Sequence, residues 1–234
     1  MQHVILILPV LAPIVFWAAY HYHKDHHLPE PPGNLLLCLL LGVIAAAISK
    51  GLYLALEPIG LRLDAVALAE ENPAALLAYA LLAIGPIEEF AKLLPFVVVV
   101  LRFKAFDEPL DGIIYASFIA LGYAAVENYH YLDYLGEMEA VARGFAAPVI
   151  HILFASVWAY WITLAHFERR PIGRAAVIGF LIAAGLHGLY DFLVLRQPVA
   201  ALPVAAGMIG VIWVWRLRLM RRMQAEATTT PREH

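Results

Sequence analysis

The chain has 234 residues, of which 62% are hydrophobic and 15% charged, and its formal net charge is −3. Its mean hydropathy is +0.74, which is more apolar surface than a soluble domain of this length can hide in one core. The small net charge, and the lack of a basic patch with interleaved aromatics away from the apolar stretches, give no footing to a nucleic-acid partner.

A bilayer core of about 30 Å takes about 20 residues of helix. The sequence predicts an all-α, polytopic membrane protein with about seven transmembrane helices, over roughly 4–20, 34–57, 74–101, 111–135, 145–167, 174–195 and 199–219. The first stretch has no basic residue before it and no small-residue cleavage site after it, so it reads as a retained helix and not a signal peptide. The run His21-Tyr22-His23-Lys24-Asp25-His26-His27 resembles a metal-binding tract but reads better as a solvated loop. Pro29-Glu30-Pro31-Pro32-Gly33-Asn34 is a turn-rich break. The second span holds the single cysteine, Cys38, so no intrachain disulfide forms. It also holds Lys50, read as structural, either snorkelling or paired with a glutamate.

Segment 58–72, with Arg62, Asp64, Glu70 and Glu71, is too polar to cross and suits an amphipathic surface helix. Asn72-Pro73 is an N-cap followed by proline at the first helical position. The third span carries Glu88, Glu89 and Lys92. Its Gly85-Pro86 step frees backbone carbonyls and permits a kink. Asp107-Glu108-Pro109 and Asp111-Gly112 open the fourth span, which carries Glu127. His151 lies in the fifth, and His187 and Asp191 in the sixth. Trp213, Trp215 and the arginines after them read as an interfacial anchor. Residues 1–222 are thus expected to form a single integral membrane domain, with a core over about 74–196, and 223–234 a disordered tail.

With seven spans, one side of the membrane receives Lys24, Arg102, Lys104, Arg169, Arg170, Arg174, Arg216, Arg218, Arg221, Arg222 and Arg232, against Arg62, Arg143 and Arg196 on the other. That bias of 11 to 3 marks the richer side as cytoplasmic. The N-terminus is then outside and the C-terminus inside, in the inner (plasma) membrane. On this frame Glu127, His151, His187 and Asp191 lie about 12, 9, 13 and 7 Å below the outer ends of their helices, with Glu88 deeper.

Ionisable groups inside a bilayer are costly, so they are usually paired, face a cavity and serve a function. Glutamate, histidine and aspartate are the residues that hold a metal or move protons at a water molecule. His187 and Asp191 are four residues apart and share a helix face, as do Glu88 and Lys92. The second spacing predicts a Glu88–Lys92 pair. Glu88 and Glu89 diverge by about 100°, so only one can point squarely at a shared centre.

The motifs resemble the PrsW family of intramembrane proteases, within the group that includes the CAAX prenyl endopeptidases and bacteriocin-processing proteins. They are EEFAK at 88–92, the stretch from Asp111-Gly112 to Glu127-Asn128, Arg143 followed by His151, and HGLYD at 187–191. They stand in family order; Tyr123 replaces the phenylalanine more usual in the second. The resemblance implies an intramembrane endopeptidase that cuts membrane-anchored proteins, as a family member cuts an anti-sigma factor on its extracytoplasmic side. It implies a metalloprotease, with zinc the expected ion. His151, His187 and Glu127 would then be ligands, and Asp191 a support of His187 or a replacement for Glu127. Glu88 or Glu89 would be the general base, Glu88 being preferred because Lys92 shares its face. A metal-free route remains, in which Glu88 activates water and the histidines serve the oxyanion. Two other classes place such residues in mid-membrane: an ion- or proton-coupled transporter, and a haem protein with His151 and His187 as axial ligands. No internal repeat of the kind transporters show is visible.

Overall fold

The computed structural model describes residues 2–24, 28–132, 136–196 and 201–229. Its regular structure is helical throughout: α1 (Gln2–Lys24), α2 (Pro32–Leu56), α3 (Ala65–Glu71), α4 (Pro73–Tyr79), α5 (Gly85–Val98), α6 (Pro109–Tyr131), α7 (Glu137–Phe167), α8 (Ile172–Arg196) and α9 (Ala201–Thr229). Five of them, α2 and α6 to α9, are long and apolar enough to cross a membrane. They coincide with five of the seven expected spans; α1 and the rod made by α4 and α5 occupy the other two.

Helix α6 is the centre of the bundle. Every residue from Leu110 to Ala124 is buried. No charge interrupts it between Asp111 and Glu127, and a helix apolar on all sides belongs inside. Helices α2 and α7 pack on it most extensively. The α2 contact is backbone to backbone: a Cβ on Gly122 would lie 2.0 Å from the Leu39 carbonyl oxygen.

The third expected span is interrupted. Residues Ala80–Ile84 form a π-helical turn between α4 and α5, just ahead of Pro86, whose missing N–H cannot serve the turn before it. Glycine then lets this rod touch α8. A Cβ on Gly85 would lie 2.2 Å from the Ala184 carbonyl oxygen, and one on Gly188 2.3 Å from that of Ala80. These two positions set α5 against the turn of α8 that carries His187.

The expected cap at Asn72 and the helix entry at Asp111 are present, and Asp64 adds a cap not anticipated in the sequence. Asp64 Oδ1 accepts from the backbone N–H of Val66 and Ala67 at the start of α3, and Asn72 Oδ1 accepts from Ala75 at the start of α4. Asp111 Oδ2 accepts from the backbone of Asp107 and Glu108 and closes the turn into α6. The Tyr115 hydroxyl donates to Glu30, tying the turn-rich break to α6; burial pushes the Glu30 carboxyl above its ordinary range.

Three readings of the sequence change. Helix α1 runs to Lys24, so His21 is helical and fully buried, not solvated; Asp25, His26 and His27 lie outside the described residues. Arg216 is also fully buried and not part of an interfacial anchor. It donates to Ser156 Oγ (2.8 Å) and Ser117 Oγ (2.9 Å) and lies 3.3 Å from His21 Nδ1. Those acceptors, spread over three helices, turn the side chain inward. Helix α9 continues to Thr229, into the segment expected to be a disordered tail; residues 230–234 lie outside the described ones.

Candidate active site

The seven ionisable residues singled out in the sequence form one connected network at the meeting of α5, α6, α7 and α8. At its base is Glu89, wholly buried, with both carboxylate oxygens in use. Oε1 accepts from Lys92 Nζ at 2.6 Å and lies 2.7 Å from His187 Nδ1. Oε2 accepts from Trp158 Nε1 at 2.9 Å. An ionised carboxylate only accepts, so Nδ1 of His187 carries a proton and Nε2 is directed to the opposite side.

The expected Glu88–Lys92 pair is therefore replaced by Glu89–Lys92, three residues apart. Both spacings make neighbours on a helix. Trp158 and His187, from α7 and α8, draw Glu89 inward, and a fully buried ammonium goes to the carboxylate inside with it. Lys92 has a second contact, 3.1 Å from His151 Nδ1, and it lies 4.9 Å from the centre of the Tyr123 ring. An ammonium only donates, so Nδ1 of His151 accepts and its proton sits on Nε2. That nitrogen faces Glu127 Oε2 at 2.5 Å.

Glu127 is bound on both sides. Its other oxygen accepts from Arg143 at 2.7 Å, and the Arg143 guanidinium lies 3.7 Å from the centre of the Tyr131 ring. Arg143, carried in the sequence only as a spacing mark before His151, is thus a direct neighbour of a candidate ligand.

Glu88 differs from the other carboxylates. The Tyr53 hydroxyl donates to its Oε1 at 3.3 Å. Its Oε2 is buried with no hydrogen-bond partner among the described residues. That oxygen lies 3.6 Å from His187 Nε2, which also has Asp191 Oδ2 at 3.5 Å. Two carboxylates thus converge on one imidazole nitrogen. The rings of His151 and His187 are 5.3 Å apart, and Phe154 stacks on His187 at 4.9 Å. Glu88 and Glu89 do divide as their divergence requires, one facing the centre and the other holding the histidine from behind.

The donors suit a metal ion. Ligand atoms of Glu88, His151 and His187 all lie within 4.8 Å of one another, two nitrogens and a carboxylate being a common zinc set. The orphaned oxygen of Glu88 is a buried acceptor in need of a positive partner. Holding an ion through His151 means displacing Lys92 or Glu127, and Glu127 keeps Arg143 when it lets go. The expected ligand Glu127 is thus the partner of His151, and Glu88 stands in the cluster in its place.

Two participants were not anticipated. Trp158 carries a signal that could have found it: an indole N–H in mid-span needs an acceptor where no water is at hand. Tyr53 lies toward the end of its span, where tyrosine is common for other reasons.

A family model described as "PrsW family intramembrane metalloprotease" matches residues 30–217. The chain is 31% identical over 208 residues to Protease PrsW of Geobacillus kaustophilus, covering 89% of this chain and 88% of that one. It is 28% identical over 220 residues to Protease PrsW of Clostridioides difficile, covering 92% and 88%. It is 28% identical over 212 residues to Protease PrsW of Oceanobacillus iheyensis, covering 91% and 93%. No solved structure matches the chain.

Proposed function

The chain belongs to the PrsW family of intramembrane proteases, and from that premise we propose that it hydrolyses peptide bonds of membrane-anchored proteins at the cluster around Glu88. The observation that carries this reading is the buried Glu88 oxygen, unpartnered among the described residues and directed at the Nε2 side of His187. A carboxylate so placed can take a proton from a water between it and the histidines.

Each residue then has a part. Glu88 accepts the proton of the attacking water, and Tyr53 fixes the carboxylate through its other oxygen. Glu89 holds His187 by Nδ1 and sets the side its Nε2 faces. Lys92 and Glu127 fix the His151 ring from its two nitrogens. When His187 also carries a proton on Nε2, that N–H, on the side facing Glu88, supplies a donor to the oxyanion that forms when water adds to the scissile carbonyl. Asp191, the second carboxylate at His187 Nε2, is a reserve proton acceptor. A zinc ion would be held by Glu88, His151 and His187; when bound it supplies a positive charge that acidifies water and polarises the carbonyl. With Glu88 committed in that way, Asp191 takes the proton.

The fitting substrate is a single-span protein cut near the outer face of the bilayer, of which an anti-sigma-like factor is one type. The site residues of α6, α7 and α8 fall in the outer half if the N-terminus is outside. The test is cleavage of a single-span protein by the purified chain in liposomes, with zinc content measured on the same preparation. Wild-type cleavage that ceases with Glu88→Gln supports the proposal, and cleavage that persists removes it.

The orientation has its own test. A reporter fused after Arg222 is expected to be cytoplasmic, and one placed near Glu137 outside, because of the 11 to 3 charge bias. A periplasm-active enzyme working at the C-terminus would show the span count or the direction to be wrong.

A further inference from the structure

Helix α9 is the least enclosed of the five long apolar helices: 17% of its most apolar stretch is buried, against 83% for α6. Between it and α7 lies a groove of about 740 Å³. Its upper part is apolar and open, along Gly207, Gly210, Val211 and Val214, with Val211 71% exposed. Tyr160 of α7 meets Trp215 edge to face at 5.8 Å and forms the opposite wall. At the far end stand Arg218 and Arg222, one helical turn apart, both exposed. No acidic residue lines the groove.

We propose that this groove holds one anionic phospholipid, an acyl chain along the apolar part and its phosphate on Arg218 and Arg222. Three features select that occupant. The first is length: from Gly207 to Arg218 is eleven residues, about 16 Å of helix, close to half of a roughly 30 Å hydrocarbon core. An acyl chain of one leaflet covers that distance. The second is charge. Two guanidinium groups a turn apart offer paired donors to a phosphate, and basic clusters at the cytoplasmic membrane edge favour anionic lipid. A neutral substrate helix would leave both arginines unanswered. The third is rigidity. Arg216 is tied inward to Ser156 and Ser117, which fixes the rotation of α9. Arg218 and Arg222 follow by about 200° and 240° of helix rotation, which turns them outward.

None of the residues lining the groove belongs to the network around Glu88, and the proposal is independent of the proteolytic reading; only the assignment to the cytoplasmic leaflet uses the proposed orientation. The experiment is native mass spectrometry of the purified full chain in detergent, titrated with phosphatidylglycerol, phosphatidylcholine or inorganic phosphate. One retained phosphatidylglycerol is expected, with phosphatidylcholine held at least about 10-fold more weakly. Arg218→Gln with Arg222→Gln should weaken phosphatidylglycerol binding by roughly 30-fold. Gly210→Leu keeps both arginines and fills the groove. A Cβ there meets nothing within 4 Å, so this variant folds, and it should also lose the lipid.

Equal retention of the two lipids would overturn the proposal, as would unchanged phosphatidylglycerol binding in either variant. Retention in Gly210→Leu alone would reduce the site to a general basic surface. Displacement of the lipid by equimolar inorganic phosphate would make it a soluble-anion site. A dimer in the same spectrum, broken by Gly210→Leu, would assign the groove to a second copy of the chain.

Discussion

Replacing Glu88 with glutamine is expected to lower hydrolysis by at least about 100-fold in a protein that still folds. The amide keeps the shape of the carboxylate and can still accept from Tyr53, which stands 3.3 Å from Oε1, but it cannot take up a proton. The lost oxygen is the one with no hydrogen-bond partner among the described residues, so little native bonding is removed. Zinc content of the same variant separates the two roles open to Glu88. Unchanged metal with lost activity makes it the base; loss of both makes it a ligand. Wild-type cleavage by Glu88→Gln would place the chemistry elsewhere in the network, with Asp191 the nearest alternative.

The neighbouring glutamate should behave differently. Glu89→Ala is expected to destabilise the protein by about 3–5 kcal/mol, since it strands a buried ammonium. Lys92 is fully buried and gives its 2.6 Å bond to Glu89, and Trp158 and His187 lose an acceptor in the same step. The melting temperature should fall by on the order of 10 °C. Adding Lys92→Met should restore much of that loss, because the stranded charge is then gone. It should not restore activity, because His187 still lacks its anchor. Glu88→Gln should melt close to the wild type. Equal melting temperatures for Glu89→Ala and the wild type would show that Glu89 is not the buried anchor of the network.

Much of this arrangement was legible along the chain, for a physical reason. A bilayer penalises ionisable groups strongly, so Glu88, Glu89, Lys92, Glu127, His151, His187 and Asp191 stood out against apolar surroundings before any contact was known. Their convergence from four helices is what the structure adds. The cap at Asn72 was local and equally readable. What could not be read was the choice among local options that other helices decide. Lys92 could reach either glutamate; Trp158 and His187, 69 and 98 residues away from Glu89 in sequence, settle the pairing. Arg216 lies among arginines that suggest an interface, and only the hydroxyls of Ser117 and Ser156 explain why it turns inward. The π-helical turn at Ala80–Ile84 follows from Pro86 and from the tight seat of Gly85 on α8. The first cause is visible in the sequence and the second is not.

The most direct test of the central claim is to map where a membrane-anchored substrate is cut. Water must reach Glu88, and a scissile bond must leave its helix to expose its carbonyl. Both are easiest near the end of a substrate span that faces the site. A single-span protein is placed in liposomes with the purified chain, and the product termini are read by mass spectrometry. The account predicts new termini at or just beyond the outer end of the substrate span, absent when the enzyme carries Glu88→Gln. Termini at the cytoplasmic end, or the same termini with Glu88→Gln, would contradict it.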